Sequence, residues 1–128
     1  MPDTSSGGRF SGQVVVITGS ATGIGRATAI RFASEGAAVA CLDIEQEENE
    51  ATAADASALG AQTIALACDV RSHAEQEAAI VAVVERWGRI DVLVACAGVY
   101  VGGPLPGISL ERWDDLVAVN LTGVLVSN

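Results

Sequence analysis

Val14-Val15-Val16-Ile17-Thr18-Gly19-Ser20-Ala21-Thr22-Gly23-Ile24-Gly25 compresses a strand, a turn and a helix start into twelve residues. Its first five residues carry no charge and four are β-branched aliphatics, which predicts a strand buried on both faces. A helical pattern then runs from Gly23 to about Glu35, and Gly36 stands where a helix commonly stops. Glycine lets the backbone turn tightly and come close to a phosphate. The helix N-terminus adds unpaired N–H groups and a partial positive charge. Strand, glycine turn and helix in this order make the first half of a βαβ phosphate-binding unit. The spacing is G-x-x-x-G-x-G, not the G-x-G-x-x-G of the general fingerprint.

The pattern repeats down the chain. On the first helix Thr28, Arg31 and Glu35 form a narrow polar strip, while Ala27, Ala29, Ile30, Phe32 and Ala33 cover the rest, as suits a helix laid on a sheet. Ala37 to Asp43 is a second apolar run ending on an acid. Glu45 to Leu59 is an acidic, alanine-rich helix stopped by Gly60. Its Glu45, Glu47, Glu48 and Glu50 read as a solvated first turn and not as a metal site. Thr63 to Asp69 is a third run ending on an acid, and Ser72-His73-Ala74-Glu75 is a capping box for a helix to about Trp87. His73, in that first turn, reads as a surface residue. Ile90 to Ala95 forms a fourth strand, followed by Cys96-Ala97-Gly98, a glycine- and proline-rich loop, and a last helix from near Ser109. Such alternation predicts an α/β fold, a doubly wound parallel sheet of Rossmann type in one domain over 12–128. The Ser/Gly-rich lead-in, 1–11, is expected to be disordered, with Phe10 as its anchor.

Composition narrows the function. The 128 residues suit one domain, and the net charge is −9, from 16 acids against 7 bases, all arginine. An acidic chain with no basic run is a poor partner for nucleic acid or an anionic membrane. Cys41, Cys68 and Cys96 form no C-x-x-C pair and sit in or at the end of apolar runs, so they read as free buried thiols in a reducing compartment. With no leader and no apolar stretch long enough to span a bilayer, the expectation is a soluble, cytoplasmic protein.

From about Phe10 to Asn128 the chain resembles the N-terminal half of the short-chain dehydrogenase/reductase family. Thr18-Gly19-x-x-x-Gly23-Ile24-Gly25 is similar to the family's cofactor turn, and Cys68-Asp69-Val70 to the segment the family sets against the adenine ring. Leu93-Val94-Ala95-Cys96-Ala97-Gly98 resembles its Asn-Asn-Ala-Gly strand end, and Val119-Asn120 its helix asparagine. The resemblance implies a nicotinamide-dinucleotide site made of Gly19, Thr22, Gly23, Ile24, Gly25, Asp43, Ile44, Asp69, Val70, Ala95, Ala97 and Gly98, and no metal. Asp43 closes the second strand 18 residues after Gly25, where a carboxylate accepts both adenosine-ribose hydroxyls. A 2′-phosphate there meets a like charge, and neither Thr22 nor Ile44 is basic, so NAD(H) is expected over NADP(H). The plainer alternative is a solvent-facing acid at a strand end. Asp69 follows the same logic, or simply caps the next helix. Ala95 and Cys96 depart from the family's paired asparagines, which leaves backbone contacts to the cofactor intact but removes side-chain hydrogen bonds from the central sheet. No base is positioned to make Cys96 a nucleophile.

At about 100° per residue, Trp113, Val117, Asn120 and Val124 share one stripe, flanked by Leu110 and Leu116 and opposite Glu111, Asp114, Asp115 and Thr122. That face is expected to be buried, so the Asn120 amide needs hydrogen bonds. Either these are structural, or, as the resemblance implies, Asn120 marks a kinked helix holding a water of a proton relay. The family reaction moves a hydride between nicotinamide and a carbonyl or alcohol carbon, with a tyrosine and a lysine four residues on moving the proton. This chain has no lysine, and its one tyrosine, Tyr100, has Pro104 at that place. Leu121, Val124, Leu125 and Val126 make the last helix apolar almost all round. In the usual strand order the fourth strand would also be a bare apolar edge. The expectation is the incomplete N-terminal part of an oxidoreductase acting on small carbonyl or alcohol compounds, inactive, marginally stable and prone to associate alone, and a homo-oligomer when complete. A non-catalytic dinucleotide-binding module and a methyltransferase-like nucleoside binder are the alternatives.

Overall fold

The computed structural model describes residues 8–99 and 103–127. Along the chain run β1 (Val14–Thr18), α1 (Gly23–Ser34), β2 (Ala38–Asp43), α2 (Gln46–Ser57), β3 (Thr63–Ala67), α3 (His73–Trp87) and β4 (Val92–Ala95). A 3-10 turn (Leu105–Gly107) leads into α4 (Leu110–Val117), a π-helical turn (Ala118–Thr122) and α5 (Gly123–Ser127). The four strands are parallel in the order β3-β2-β1-β4, with Val16 paired to Ala40 on one side and Leu93 on the other. The expected doubly wound sheet is what forms.

Strand alternation sends successive residues to opposite faces, and both faces of this sheet are covered. Val15, Ile17, Val39 and Cys41 pack beneath Ala29 and Ala33 of α1 and Ala53 and Ala56 of α2. Val14, Val16, Ala40 and Leu42 pack against Ala79 and Val83 of α3. Alanine at the helix contacts lets these helices lie close to the strands. Each fully buried valine or isoleucine stabilises by roughly 1.5–3 kcal/mol, so β1, buried at all five positions, carries much of the core.

Several boundaries move. The fourth strand starts at Val92, not Ile90, because the Asp91 carboxylate accepts the Val14 N–H at 2.8 Å and pins the start of β1. Arg89 and that N–H hold the Asp91 carboxyl below the usual carboxylate range. The acidic helix starts after Glu45 and ends at Ser57. The ordered body begins before residue 12: the Phe10 N–H donates to Glu35 O at 3.0 Å, and the Phe10 and Phe32 rings meet edge-on at 4.7 Å. Residues 1–7 of the lead-in lie outside the described residues. Cys41 and Cys68 are buried as expected, but Cys96 is only half-buried.

The largest correction concerns α4. No residue of α4 is buried; Trp113 is 51% exposed, and Asn120 in the following π turn is exposed too. The stripe exists as periodicity, but no described element covers it. The last segment is tied down instead by α3, where buried Gln76 donates to Val70 O at 2.7 Å and Gly123 O at 3.1 Å. Tyr100 and the Leu125 and Val126 side chains lie outside the described residues.

Candidate functional site

All four strands deliver their C-terminal ends to one edge, and β1 sits where the chain turns from building the sheet on the β2 side to the β4 side. Crevices at such switch points are the usual ligand sites of open parallel sheets. The glycine turn shapes this one. Gly19 has φ +72°, and a Cβ there would stand 2.6 Å from Ala97 Cα. A Cβ on Gly25 would stand 1.9 Å from Gly19 O. Bare backbone at both places lets α1 and the loop after β4 close on the turn.

Thr18 holds the end of β4 through local contacts. Its buried hydroxyl accepts the Ala97 N–H at 3.3 Å, and its carbonyl accepts the Cys96 N–H at 3.1 Å. Ala95 and Cys96 are therefore held by backbone. Thr22 is the N-cap of α1 in extended conformation, makes no side-chain capping bond, and the first turn holds no acid. That leaves the helix end free to take an anion. Behind it lies a polar lock: Ser20 Oγ donates to Asn49 Oδ1 at 2.6 Å, and Asn49 Nδ2 donates to Cys41 O at 2.9 Å.

Asp43 is half-buried at the end of β2. One carboxylate oxygen accepts the Ala21 N–H at 3.0 Å and the other the Glu45 N–H at 2.9 Å. A carboxylate offers about four acceptor positions, so two remain for a ligand. Asp69 is differently placed. Ser72, not Asp69, caps α3 by accepting the Glu75 N–H at 3.1 Å, which removes the capping alternative. Asp69 instead grips Arg71, whose guanidinium holds its carboxyl below the usual range and also reaches Asp115 of α4 at 2.9 Å.

Ten of the twelve predicted cofactor positions line a single cleft of about 500 Å³; Gly23 and Ala95 do not. Asn120 stands outside its lining and braces it: Oδ1 accepts the Val99 N–H at 2.7 Å and Nδ2 donates to Val99 O at 2.8 Å, from within the π turn. Sequence reasoning did not place Glu45, Arg71, Val99, Asp115 and Val119 in the lining. Only Arg71, next to the Asp69-Val70 pair, carried a signal of its own. Cys68 also lines the cleft, but burial and the nearby Glu75 and Asp69 carboxylates push its thiol up to about 11, so it is no nucleophile at neutral pH. Among the described residues no group of three or more His, Cys, Asp or Glu side chains is placed to hold a metal, and no helix is long and apolar enough to cross a membrane.

The family profile for short chain dehydrogenases matches residues 13–127. The chain belongs to the short-chain dehydrogenase family. Within that family it is 41% identical over 118 residues to a D-threitol dehydrogenase of Mycolicibacterium smegmatis, covering 92% of this chain and 45% of that protein. A sorbitol dehydrogenase of Cereibacter sphaeroides is 41% identical over 117 residues, covering 91% of this chain and 44% of that one. Two crystal structures are similar in shape. A short chain dehydrogenase from Mycobacterium smegmatis has TM-score 0.88 at 37% identity, over 94% of this chain and 52% of that one. Levodione reductase has TM-score 0.87 at 35% identity, over 93% and 47%. The chain thus spans about half the length of the family members it matches.

Proposed function

We propose that this chain is the coenzyme-binding part of a short-chain dehydrogenase, that it binds NAD(H) in preference to NADP(H), and that the whole enzyme moves a hydride between the coenzyme and a small carbonyl or alcohol compound. The observation that carries this is Asp43: a half-buried carboxylate, fixed by two backbone N–H groups, beside a glycine turn that opens a helix. Its two remaining acceptor positions match the vicinal hydroxyls of an adenosine ribose, and its charge opposes a 2′-phosphate. The residues present suit the rest of the dinucleotide. Turn and α1 amides suit a pyrophosphate, while Ile24, Ile44, Val70 and Val119 give the cleft apolar walls.

The nicotinamide, when bound, supplies the hydride; the residues here bind and orient. We assign Asn120 the family's proton-relay position, supported by the π turn in which it lies. The tyrosine–lysine pair is assigned to residues outside these 128, since the chain has no lysine. Self-association of the whole enzyme is supported by exposed Leu110, Trp113 and Leu121, and a cytoplasmic setting by three free thiols.

The test is direct titration of the chain with NADH, NADPH and adenosylmethionine, read by fluorescence and calorimetry. Saturable NADH binding, at least about tenfold tighter than NADPH, is expected. Binding of adenosylmethionine alone, or equal affinity for the two dinucleotides, would overturn the reading.

A further inference from the structure

The glycines that let the turn approach a phosphate also leave it loose. Gly19 and Gly23 both sit at positive φ, +72° and +58°, with only Ser20, Ala21 and Thr22 between them. Glycine loses more backbone freedom on being fixed than any other residue, and a loop that orders only on binding costs affinity. α2 holds this one from a single face. Asn49 and Thr52, three positions apart and so on the same side of the helix, are 1% and 0% exposed. Asn49 Oδ1 accepts the buried Ser20 hydroxyl at 2.6 Å; the other acceptor in reach, Leu42 O, is farther at 3.3 Å. Asn49 Nδ2 donates to Cys41 O at 2.9 Å and to Leu66 O at 3.5 Å, so a reversed amide would set its oxygen against two carbonyls.

Thr52 reaches the far side of the turn. Its Oγ1 accepts Arg26 Nη1 at 3.0 Å, and its own proton is shared between Glu48 O at 3.2 Å and Ala21 O at 3.4 Å. Ala21 in turn gives its N–H to the Asp43 carboxylate at 3.0 Å. Residues on both sides of Gly23, and through Ala21 the carboxylate of Asp43, thus rest on one face of α2. Packing alone does not ask for these side chains. The neighbouring inward positions of α2 are Ala53 and Ala56, set against the sheet, and an apolar residue at 49 would avoid desolvating an amide. What a fully satisfied buried network adds is a single fixed arrangement.

We propose that Asn49 is a positioning residue for the coenzyme: acting through Ser20, and with Thr52 beside it, it presets the glycine turn in its binding shape, so that little of the turn's freedom remains to be lost when a dinucleotide binds. The proposal rests on the coenzyme reading above. It gives a part in affinity to α2, none of whose described residues lines the cleft.

The test separates positioning from plain stability. NADH dissociation constants are read by fluorescence titration under conditions where the urea midpoint shows each variant folded. Asn49→Leu keeps the branched shape and should weaken NADH by about two- to tenfold, the equivalent of one neutral hydrogen bond. Adding Ser20→Ala to it should weaken NADH no further, because both changes break the same contact. Thr52→Val should weaken NADH by about two- to fivefold, and Thr52→Ser, which keeps the hydroxyl, should stay within about twofold of wild type. The control is Val83→Ala, in the core on the other face of the sheet. It opens a cavity and lowers stability, yet should leave NADH affinity within about twofold of wild type. In the free chain, amide hydrogen exchange of residues 19–25 should quicken relative to β1 in Asn49→Leu and not in Val83→Ala. Should Asn49→Leu not fold, Ser20→Ala breaks the same bond from the turn side and is judged alike. NADH affinity unchanged in the Asn49 and Ser20 variants, or weakened as much in Val83→Ala, overturns the proposal and leaves the coenzyme reading standing. Failure of wild type to bind either NADH or NADPH would instead sink the coenzyme reading, and the proposal with it.

Discussion

Replacing Asp43 with Asn keeps the shape of the side chain and removes its charge. In the native chain each carboxylate oxygen accepts one N–H, from Ala21 at 3.0 Å and from Glu45 at 2.9 Å. An amide presents one oxygen and one NH₂ group, so one of these bonds is lost and one ribose hydroxyl loses its acceptor. A hydrogen bond to a charged group is worth about 1.5–3 kcal/mol, which predicts NADH binding weaker by roughly 10- to 150-fold. NADPH responds oppositely. Two unit charges about 4 Å apart cost about 4 kcal/mol at the effective dielectric of a protein surface; a half-open cleft leaves roughly a third of that, so NADPH loses less than NADH or gains. The ratio of the two dissociation constants should therefore fall by about tenfold or more. Parallel fluorescence titrations measure it, with the urea midpoint of each protein as the folding control. A ratio unchanged within twofold, in a variant that still folds, would refute the role given to Asp43.

Other consequences concern the scaffold. Gly25→Ala sets a Cβ 1.9 Å from Gly19 O, so α1 must shift off the turn; a loss of about 1–3 kcal/mol in urea denaturation is expected, together with weaker NADH binding. Asn49→Ala removes the nearer of two acceptors of the Ser20 hydroxyl, leaving Leu42 O at 3.3 Å, and the donor to Cys41 O, in a buried setting. That should cost about 2–4 kcal/mol, and a loss under about 0.5 kcal/mol would show that water replaces the amide. Asp69 and Asp91 both have folded pKa values depressed by their arginine neighbours. Their stabilisation is therefore present above the unfolded carboxylate value, about 3.9, and disappears as pH falls through the folded values. A urea midpoint flat from pH 7 to 5 and falling below about pH 4 is expected, with a shallower fall in Arg89→Ala.

How much of this was legible beforehand follows from the range of each interaction. Strand type and helix type follow from local periodicity and glycine placement, because β1 is buried at every position, while the strand order came from the usual arrangement of this fold class and is the order observed. Asp43 was legible because a strand end fixes its distance from the turn whatever the rest of the chain does. The α4 stripe was misjudged because periodicity reports which residues share a face, and says nothing of whether another element covers it. The Arg71–Asp115 ion pair was invisible because the two residues are 44 positions apart and meet only through tertiary placement. Ile90 was assigned to a strand on hydropathy alone, while the hydrogen bond from Val14 N–H to Asp91 shows why pairing begins two residues later.

The distribution of charge gives these pieces a common logic. Asp43, Glu45, Asp69 and Asp115 all line the cleft, against the single guanidinium of Arg71, which two of them already neutralise. A dinucleotide with two phosphate charges would enter an acidic cleft, so its attraction must come from somewhere other than side chains. On the proposed reading the N-terminal end of α1 would supply it: it lacks an acid in its first turn and a capping side chain, and so concentrates N–H donors and helix dipole at one spot. Two phosphates bridged at that spot are accommodated. A third phosphate, placed on the ribose beside Asp43, has no comparable partner and several carboxylates around it. On this argument the proposed preference for NAD(H) would rest on the whole cleft, with Asp43 as its sharpest element. If the proposed preference holds, Asp43→Asn relieves the repulsion only in part, and Asp43→Arg, which adds a cation as well as removing an anion, should raise NADPH affinity further.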